Sequence, residues 1–403
     1  MKHKFTIKML CAAVLGVFCL AFSAACTSQK AVEDARIAPG AEDFAQYLPL
    51  LEGKRVAFIG NHTSVVNDSI HLVDTLVAQG VNIVKAFAPE HGFRGTADDG
   101  AKIDDQVDEK TGVTVLSLYG SGMSKPTPEV LADVDVLLFD IQDVGCRFYT
   151  YINTMQRIME AGGENNIPVI VLDRPNPNGY YIDGPILIDS CHSGIGMQPI
   201  PIVSGLTIGE YAKLLNGEGW MKDSVRCDLT VVPCRNYDHT KRYALPVPPS
   251  PNLPNDHAVN LYASTCLFEG TPLSEGRGTP WPFEVFGSPL IDSTATDFTF
   301  VPEPRFGAAK PKQNGLVCYG RDLRNEPEQA QVNLEYIIWA YNNYTEKDKF
   351  FNRRAFSLRA GNYELEDQIK AGMSPEEIRA TWQEGLENYK QIRKKYLMYP
   401  DFE

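Results

Sequence analysis

Three side chains that can exchange protons or hold anions lie close together in the stretch FAPEHGFRG (residues 87–95). Glu90 follows a run that predicts a buried strand, and His91 and Arg94 come directly after it. A carboxyl group that is partly removed from water has a raised pKa, which suits a general acid. The alternative, that Glu90 only pairs with Arg94 or His91 to tie the loop, carries equal weight from these residues alone.

A second candidate carboxylate, Glu275, lies in the stretch SEGRGT. Glycines flank Arg277 on both sides there, so the backbone could approach a ligand closely. Glu269 and Glu284 are nearby reserves, and the alternative for all three carboxylates is an ion pair with Arg277. Two carboxylates that face each other across a cleft are the usual equipment for glycoside hydrolysis.

A third group of candidates lies in the stretch FDIQDVGCRFYTY (residues 139–151), at the end of the fourth predicted strand. Asp140 and Asp143 are candidate carboxylates, and Arg147 could hold a substrate carboxylate through two hydrogen bonds. Tyr149 and Tyr151 could stack on the face of a sugar. The alternative is that an Asp–Arg pair merely braces the loop.

Other chemistries find little support in the sequence. His62, His91 and His257 are scattered and have no metal-ligand spacing, so no metal site is indicated. No G-x-S-x-G stretch predicts a serine nucleophile, and Cys146 is better read as a structural thiol. Neither G-x-G-x-x-G nor G-x-x-x-x-G-K-[ST] occurs, which argues against a dinucleotide or a nucleoside triphosphate.

The elements that must position these side chains alternate regularly in the first half of the chain. Nearly continuous apolar runs predict strands, and the segments between them read as helices. This alternation predicts a mostly parallel sheet with helices on both faces. The predicted strands are 54–61, 81–90, 113–120, 134–141 and 167–175, and the predicted helices are 69–80, 128–134 and 150–163.

Each predicted strand runs straight into polar residues. Asn61 ends the first and His62 follows it, Glu90 ends the second, Tyr119 and Gly120 end the third, and Asp140 and Arg174 lie at the ends of the fourth and the fifth. In open α/β sheets the ligand crevice lies beyond the carboxyl ends of the strands. Five strands that deliver polar groups to one edge therefore predict a site at that edge.

The pattern changes from about residue 195. A helix over 207–220 begins with a capping box, and helices are predicted at about 328–345 and 375–396. Between them lie a Pro-dense loop (245–256), which contains Asn252, and a Gly-rich loop (268–289). Long irregular loops of this kind are usually functional or disordered. We expect a Rossmann-like domain over 45–194 and a smaller α+β domain over 195–403 that closes the cleft.

Composition and the N-terminus set further limits. The 403 residues are 43% hydrophobic, enough for a sizeable core, and the net charge of −13 argues against nucleic acid as a partner. Residues 1–25 have the lysines, apolar run and small residues of a secretory signal. Cys26 is a candidate lipid acceptor, and residues 26–44 read as a tether. We expect an exported, periplasmic protein, with lipid anchoring as an alternative to simple signal cleavage.

The motifs together resemble the exo-β-N-acetylmuramidase family, which was formerly a domain of unknown function, and most closely its Bacteroides-type members. The resemblance runs from about residue 45 to the end of the chain. The motifs that carry it are GNHTS (60–64), APEHGFRG (88–95), SLYG (117–120), KPTPE (125–129), LFDIQDVGCRFYTY (138–151), LDRPNPNG (172–179), PSPNLP (249–254) and FEGTPLSEGRGTPWPFEVFG (268–287).

The resemblance implies a hydrolase that removes terminal β-1,4-linked N-acetylmuramic acid (MurNAc) from the non-reducing ends of peptidoglycan fragments such as the MurNAc–GlcNAc disaccharide. It implies a role in cell-wall turnover, with no metal and no organic cofactor. Glu90 matches the family's Pro-Glu-His-Gly glutamate and becomes the expected acid or base, with Glu275 or Asp140 as its partner. The substrate-binding candidates are Asn61, His62, His91, Arg94, Arg147, Tyr149, Arg174, Asn252, Glu269 and Arg277.

A second hypothesis of a different class is an exported lipoprotein that binds muropeptides or sugars without catalysis. Two domains around a cleft suit a binding protein as well as they suit an enzyme. The two hypotheses differ in whether purified protein changes a MurNAc–GlcNAc disaccharide or only binds it. A third, an esterase or amidase that acts on wall peptides, lacks the expected nucleophile motif.

Overall fold

A seven-stranded, mostly parallel sheet forms the centre of the N-terminal half. The computed structural model describes residues 36–89, 92–95, 105–118 and 123–403. Within these residues the strands are β1 (Val56–Gly60), β2 (Val65–Val66), β3 (Ile70–His71), β4 (Ile83–Ala88), β5 (Gln106–Val107), β6 (Thr114–Ser117), β7 (Val136–Asp140), β8 (Val169–Leu172), β9 (Leu229–Val232), β10 (Val285–Ser288), β11 (Thr299–Phe300) and β12 (Cys318–Asp322).

Helices connect the strands of the sheet and make up much of the C-terminal half. In chain order they are α1 (Phe44–Leu51), α2 (Leu72–Ala78), α3 (Pro128–Leu131), α4 (Tyr151–Asn165), α5 (Ile208–Glu218), α6 (Asp256–Thr265), α7 (Glu335–Asn343), α8 (Arg353–Ala360), α9 (Glu364–Lys370), α10 (Pro375–Ala380) and α11 (Gln383–Arg393). Short 3-10 turns include Asp189–Cys191 and Cys266–Gly270.

The strand order of the large sheet is β5-β6-β4-β1-β7-β8-β9, and all neighbours run parallel except β5 with β6. Successive residues of a strand point to opposite faces. Ala57 and Ile59 of β1 accordingly belong to one apolar core, which α4 and α5 cover, and Val56 and Phe58 belong to another, which α1 and α2 cover. The predicted sheet with helices on both faces is confirmed.

The sheet continues past the predicted domain boundary at residue 194. Its last strand, β9, pairs in parallel with β8, and α5 packs beside both. The apolar run DLTVVPC (228–234), which lies beyond that boundary, therefore completes the first sheet. The C-terminal half has instead its own small antiparallel sheet, in the order β10-β12-β11, together with α6 to α11.

The two halves share one apolar core. Met155 and Ile158 of α4 belong to the same buried cluster as Tyr262 and Phe286 of the C-terminal half. Residues 266–270 pack against α8 so closely that a Cβ on Gly270 would lie 2.4 Å from the Cα of Phe356. This continuous core fixes the C-terminal half against the carboxyl edge of the sheet.

The capping signals in the sequence are confirmed at two helices. Thr207 and Glu210 form a capping box at the start of α5, and Ser374 and Glu377 form another at the start of α10. The single helix predicted over 375–396 is two helices, α10 and α11. The residues between them include Trp382, which is buried in the main core.

The predicted tether at 26–44 is wrong for the part that the structure describes. Ala38 exchanges backbone hydrogen bonds with Arg235, and the Gly40 amide donates to the Asp173 carbonyl at 2.8 Å. Ala41 is buried in the core under α1. Residues 38–44 are thus part of the fold, because their backbone groups are paired with the edge of the sheet. The signal sequence and Cys26 lie outside the described residues.

The described cysteines carry no disulfide: Cys146, Cys191, Cys227, Cys234, Cys266 and Cys318 are all free and buried. They pack as small apolar side chains, and Cys146 is thus a structural thiol as predicted. Among the described residues, no helix is long and apolar enough to cross a membrane.

Candidate active site

A cleft of about 480 Å³ lies at the carboxyl edge of the large sheet. Pro89, which follows β4, and Leu118, which follows β6, line its floor. The Pro-dense loop contributes Asn252, and α4 contributes one wall. The segments 148–150 and 194–195 also line the cleft, and residues of the C-terminal half complete the lining. The site therefore lies where an open α/β sheet is expected to hold its ligand.

Glu269 joins two guanidinium groups in this cleft. Its Oε1 accepts from Nη2 of Arg277 at 2.8 Å, and its Oε2 accepts from Nε of Arg359 at 3.0 Å. Burial raises the pKa of Glu269, but the two arginines lower it further, to about 2. Glu269 is therefore ionised at any physiological pH and holds both arginines in place, rather than acting as a proton donor.

Glu275 lies behind Arg277 and not on the cleft lining. Its carboxylate is almost fully buried, with Oε1 3.2 Å from Nε of Arg277 and Oε2 3.2 Å from Nζ of Lys312. Lys312 in turn donates to three backbone carbonyls of residues 268, 271 and 273. The prediction that Glu275 is the second catalytic carboxylate is not supported, because the side chain supports Arg277 from behind.

Asp140 is not available for catalysis either. It forms a fully buried, two-point ion pair with Arg174, at 2.6 Å from Nε and 2.8 Å from Nη2. The Arg174 guanidinium also donates to the Val65 carbonyl at 3.0 Å. The alternative of a bracing Asp–Arg pair was thus the right one, with Arg174 in place of Arg147. Arg174 is likewise corrected from a substrate-binding to a structural residue.

Arg147 is also a structural residue and not a substrate ligand. Its buried guanidinium donates to four backbone carbonyls, those of residues 185, 200, 359 and 360, at 2.6–3.0 Å. These acceptors belong to both halves of the chain, so Arg147 ties α8 to the loops that follow β8. Four of its five N–H donors are used in this way, and the fifth, on Nε, is buried, so no pair of parallel donors is left for a ligand carboxylate.

Arg94 binds two carboxylates away from the cleft lining. Its Nε donates to Asp108 at 2.8 Å and its Nη2 donates to Asp74 at 2.8 Å. These hydrogen bonds raise the pKa of Arg94 and lower that of Asp108 to about 2, despite partial burial. The structure therefore gives Arg94 a structural role in the chain between β4 and β6.

The loop after β1 is held by its own polar side chains. Asn61 Oδ1 accepts from the Thr63 backbone amide at 2.9 Å and so shapes a turn, whereas Nδ2 of the same side chain is buried without a hydrogen-bond partner among the described residues. His62 Nε2 lies 3.0 Å from the Pro248 carbonyl and joins this loop to the Pro-dense loop. Burial lowers the pKa of His62, which favours the neutral imidazole.

Four predicted substrate-binding residues do meet at the cleft: Tyr149, Asn252, Glu269 and Arg277. Tyr149 donates to the Pro249 carbonyl at 2.8 Å, and Asn252 donates to the Gly307 carbonyl at 2.6 Å. Both polar groups thereby fix the Pro-dense loop at the cleft wall. Glu90 and His91 lie outside the described residues, and their roles stay predictions.

Two arginines on the cleft lining were missed by the sequence analysis. Arg157 lies on α4, and Arg359 lies on α8. Nothing in TMQRIM or FSLRAG distinguishes them from solvent-facing helix residues. Only the folded chain brings them onto one cleft lining with Arg277.

Within the described ranges, no group of three or more His, Cys, Asp or Glu side chains could hold a metal ion. The polar groups on the lining are guanidinium, carboxylate, hydroxyl and amide groups. These can bind a polar, anionic organic ligand through charge-assisted hydrogen bonds.

The comparisons with known proteins agree on one family. The family model "Exo-beta-N-acetylmuramidase NamZ, N-terminal" matches residues 56–257, and its C-terminal counterpart matches residues 260–399. The chain is similar to the peptidoglycan beta-N-acetylmuramidase NamZ of Bacillus subtilis (strain 168), with 42% identity over 372 residues that cover 88% of this chain and 89% of that one.

Two crystal structures of DUF1343 family proteins from Bacteroides fragilis NCTC 9343 are also similar. One has a TM-score of 0.84 and 45% sequence identity, over 91% of this chain and 99% of that chain. The other has a TM-score of 0.77 and 31% identity, again over 91% of this chain and 99% of that chain.

Proposed function

The chain belongs to the NamZ exo-β-N-acetylmuramidase family and is a glycoside hydrolase, and we propose that it releases terminal β-1,4-linked MurNAc from the non-reducing ends of peptidoglycan fragments. Its products would be free MurNAc and a shortened glycan, as cell-wall turnover requires. The family match over both halves of the chain supports this activity.

The charge of the cleft is the structural observation that carries the proposal. The whole chain has a net charge of −13, yet three guanidinium groups and one carboxylate occur on the described cleft lining. MurNAc differs from the other wall sugar by a lactyl ether that ends in a carboxylate. A locally cationic pocket in an acidic protein selects such a ligand, because the arginines attract it while the rest of the surface repels polyanions.

Glu90 is the residue we propose as the general acid. It follows Pro89, which lines the cleft beside the end of β4. In this role its carboxyl would donate a proton to the glycosidic oxygen as the bond from that oxygen to C1 of MurNAc breaks, so that the shortened glycan leaves with a free hydroxyl.

The hydrogen bonds of Glu269 limit the choice of the second catalytic group. Both oxygens of Glu269 bind arginines, so this carboxylate is a poor nucleophile and a poor base. This favours the variant in which the 2-acetamido group of the substrate itself assists at C1 and a protein group only orients it. Water would then open the resulting intermediate and complete the hydrolysis.

The decisive experiment compares wild type with Glu90→Gln on a chromogenic β-MurNAc glycoside. We expect turnover to fall by roughly 10²–10⁴-fold, because the amide cannot donate the proton. Glu129→Gln, at an exposed position of α3, is the matched control and should keep wild-type turnover. Near-native turnover by a folded Glu90→Gln protein would remove Glu90 from the mechanism, and absence of turnover by wild type would sink the activity itself.

We also propose that the protein is exported and anchored through a lipid on Cys26. The signal-like residues 1–25 and the small residues before Cys26 support this. Cells that express the full chain should carry it in the membrane fraction, and Cys26→Ser should release it. Recovery of both forms in the soluble fraction would exclude the anchor.

A further inference from the structure

The arginines of the cleft differ in whether a carboxylate of the protein already pairs with their charge. Arg277 and Arg359 both bind Glu269, so two guanidinium groups share one carboxylate. Arg277 also lies against Glu275, and Arg359 also donates to the Ala355 carbonyl. These two side chains are held in fixed positions by protein groups.

Arg157 is in a different situation. It lines the cleft from α4, is partly buried, and forms no ion pair or hydrogen bond with any residue that the structure describes. Residues three positions apart on a helix lie on the same side, and Tyr151 and Thr154 of α4 line the cleft with it. The helix thus presents an aromatic ring, a hydroxyl and a guanidinium group to one end of the cleft.

The backbone beside this helix face is fixed. Asn153 donates to the Gly194 carbonyl at 2.8 Å, which fastens the turn at residues 193–196 to α4. Gly194 and Ile195 of this turn also line the cleft. Arg157 therefore borders a formed subsite with a wall on each side.

We propose that Arg157 binds the lactyl carboxylate of the terminal MurNAc and so distinguishes this sugar from N-acetylglucosamine. The assignment rests on the proposed function, because it names the substrate group that one side chain of the same cleft recognises. A guanidinium presents two parallel N–H donors that match the two oxygens of a carboxylate. Among the cleft arginines, this one brings a full charge that no described protein carboxylate neutralises.

The same arrangement explains why the arginines assigned from the sequence cannot serve this purpose. Arg147 donates to four carbonyls, and Arg94 binds two aspartates. Recruitment of Arg277 away from Glu269 would leave that partly buried carboxylate with Arg359 alone, which is costly. Binding at Arg157 carries no such penalty.

The test compares a substrate that carries the lactyl carboxylate with an analogue in which that group is an uncharged ester. Wild type, Arg157→Gln and Arg157→Lys would be assayed on a chromogenic β-MurNAc glycoside and on its lactyl methyl ester, which removes the charge. For wild type we expect kcat/KM to be about 10–100-fold higher for the acid, the size of a charge-assisted hydrogen-bonded pair. For Arg157→Gln the acid should lose that factor and the ester should be unchanged, so that their ratio approaches one. Arg157→Lys should fall between.

Arg226→Gln, at an exposed position, is the matched control and should keep the wild-type ratio. If Arg157→Gln retains the preference for the acid, the assignment is overturned while the muramidase activity stands. If wild type turns over neither glycoside, the proposed function fails, and binding of free MurNAc and its methyl ester decides on Arg157 independently. A preference for the acid that Arg157→Gln abolishes would support the subsite, and equal binding by both proteins would exclude it.

Discussion

Arg147 donates a hydrogen bond from Nη2 to the backbone carbonyl of Arg359, 3.0 Å away and 212 positions later in the chain. The side chain of Arg359 binds Glu269 inside the cleft. A buried residue that does not itself line the cleft thus sets the position of α8, and with it one of the cleft guanidinium groups. The geometry of the cleft therefore depends on the hydrogen bonds between Arg147 and the backbone of α8, which lie outside the cleft.

The first prediction concerns Gly361, at the end of α8. Its φ is +93°, and a Cβ there would lie 2.3 Å from Nη2 of Arg147. We expect Gly361→Ala to lower both the free energy of unfolding and kcat/KM, because the guanidinium must move. Gly372→Ala is the control: its φ is +76°, but nothing lies within 4 Å of the new methyl group. It should cost only the backbone strain of about 1–2 kcal/mol. Equal losses in urea unfolding would show that the contact with Arg147 is unimportant.

The second prediction separates structure from catalysis at Asp140. Asp140→Asn leaves the Arg174 guanidinium buried without its counterion, which should destabilise the protein by about 3–5 kcal/mol. The double variant Asp140→Asn/Arg174→Met should recover part of this loss. The measurement is chemical unfolding together with the specific activity of the folded fraction at low temperature. Activity that is restored with stability supports a bracing pair, whereas a stable but inactive double variant would return Asp140 to the mechanism.

The third prediction concerns pH. Burial raises the pKa of Asp143 to about 7, although its carboxylate accepts from the Gly145 amide at 2.7 Å. Between the unfolded pKa near 4 and this value, the folded state binds the extra proton, so stability falls as pH rises. From about pH 5.5 to about pH 8 this one group should remove about 2 kcal/mol. Asp143→Asn should remove this loss of unfolding free energy and so flatten the dependence of Tm on pH, and an unchanged slope would contradict the assignment.

The fourth prediction concerns Glu269, whose pKa of about 2 has the opposite consequence. Its contribution to stability is present above the unfolded pKa near 4.5 and is lost as pH falls towards 2. Glu269→Gln should remove most of this acid sensitivity and should lower kcat/KM, because Arg277 and Arg359 lose their common anchor. Fluorescence-monitored acid unfolding of both proteins provides the measurement. An acid transition that the substitution leaves in place would mean that other carboxylates govern it.

Much of the fold could be predicted because its strands are uninterrupted apolar runs that end in polar residues. β7 is buried throughout and ends at Asp140, as the run VDVLLFDI indicates. The domain boundary could not be found in the same way, because β9 follows a helix and a loop that look like the start of a new unit. An edge strand can be assigned to a sheet only when the strand that it pairs with is known, and for β9 that strand is β8.

The candidate site was only partly predictable for a related reason. A charged residue after a strand can face a ligand or a distant partner, and the sequence does not distinguish them. Arg174 meets Asp140 from 34 positions away, and Arg147 meets the chain near residue 360. Arg157 reaches the cleft from the middle of a helix, where no local pattern marks it. Tyr149 and Asn252, which were predicted to bind substrate, do lie on the cleft lining, because their loops connect or cover the strand ends.

The cleft draws its lining from both sides of the family boundary between residues 257 and 260. Arg157 comes from the first half, whereas Glu269, Arg277 and Arg359 come from the second. Neither half on its own therefore contains a substrate pocket on which selection could act. The two segments must be inherited together, and a gene fission between them would yield two proteins without activity unless they reassembled.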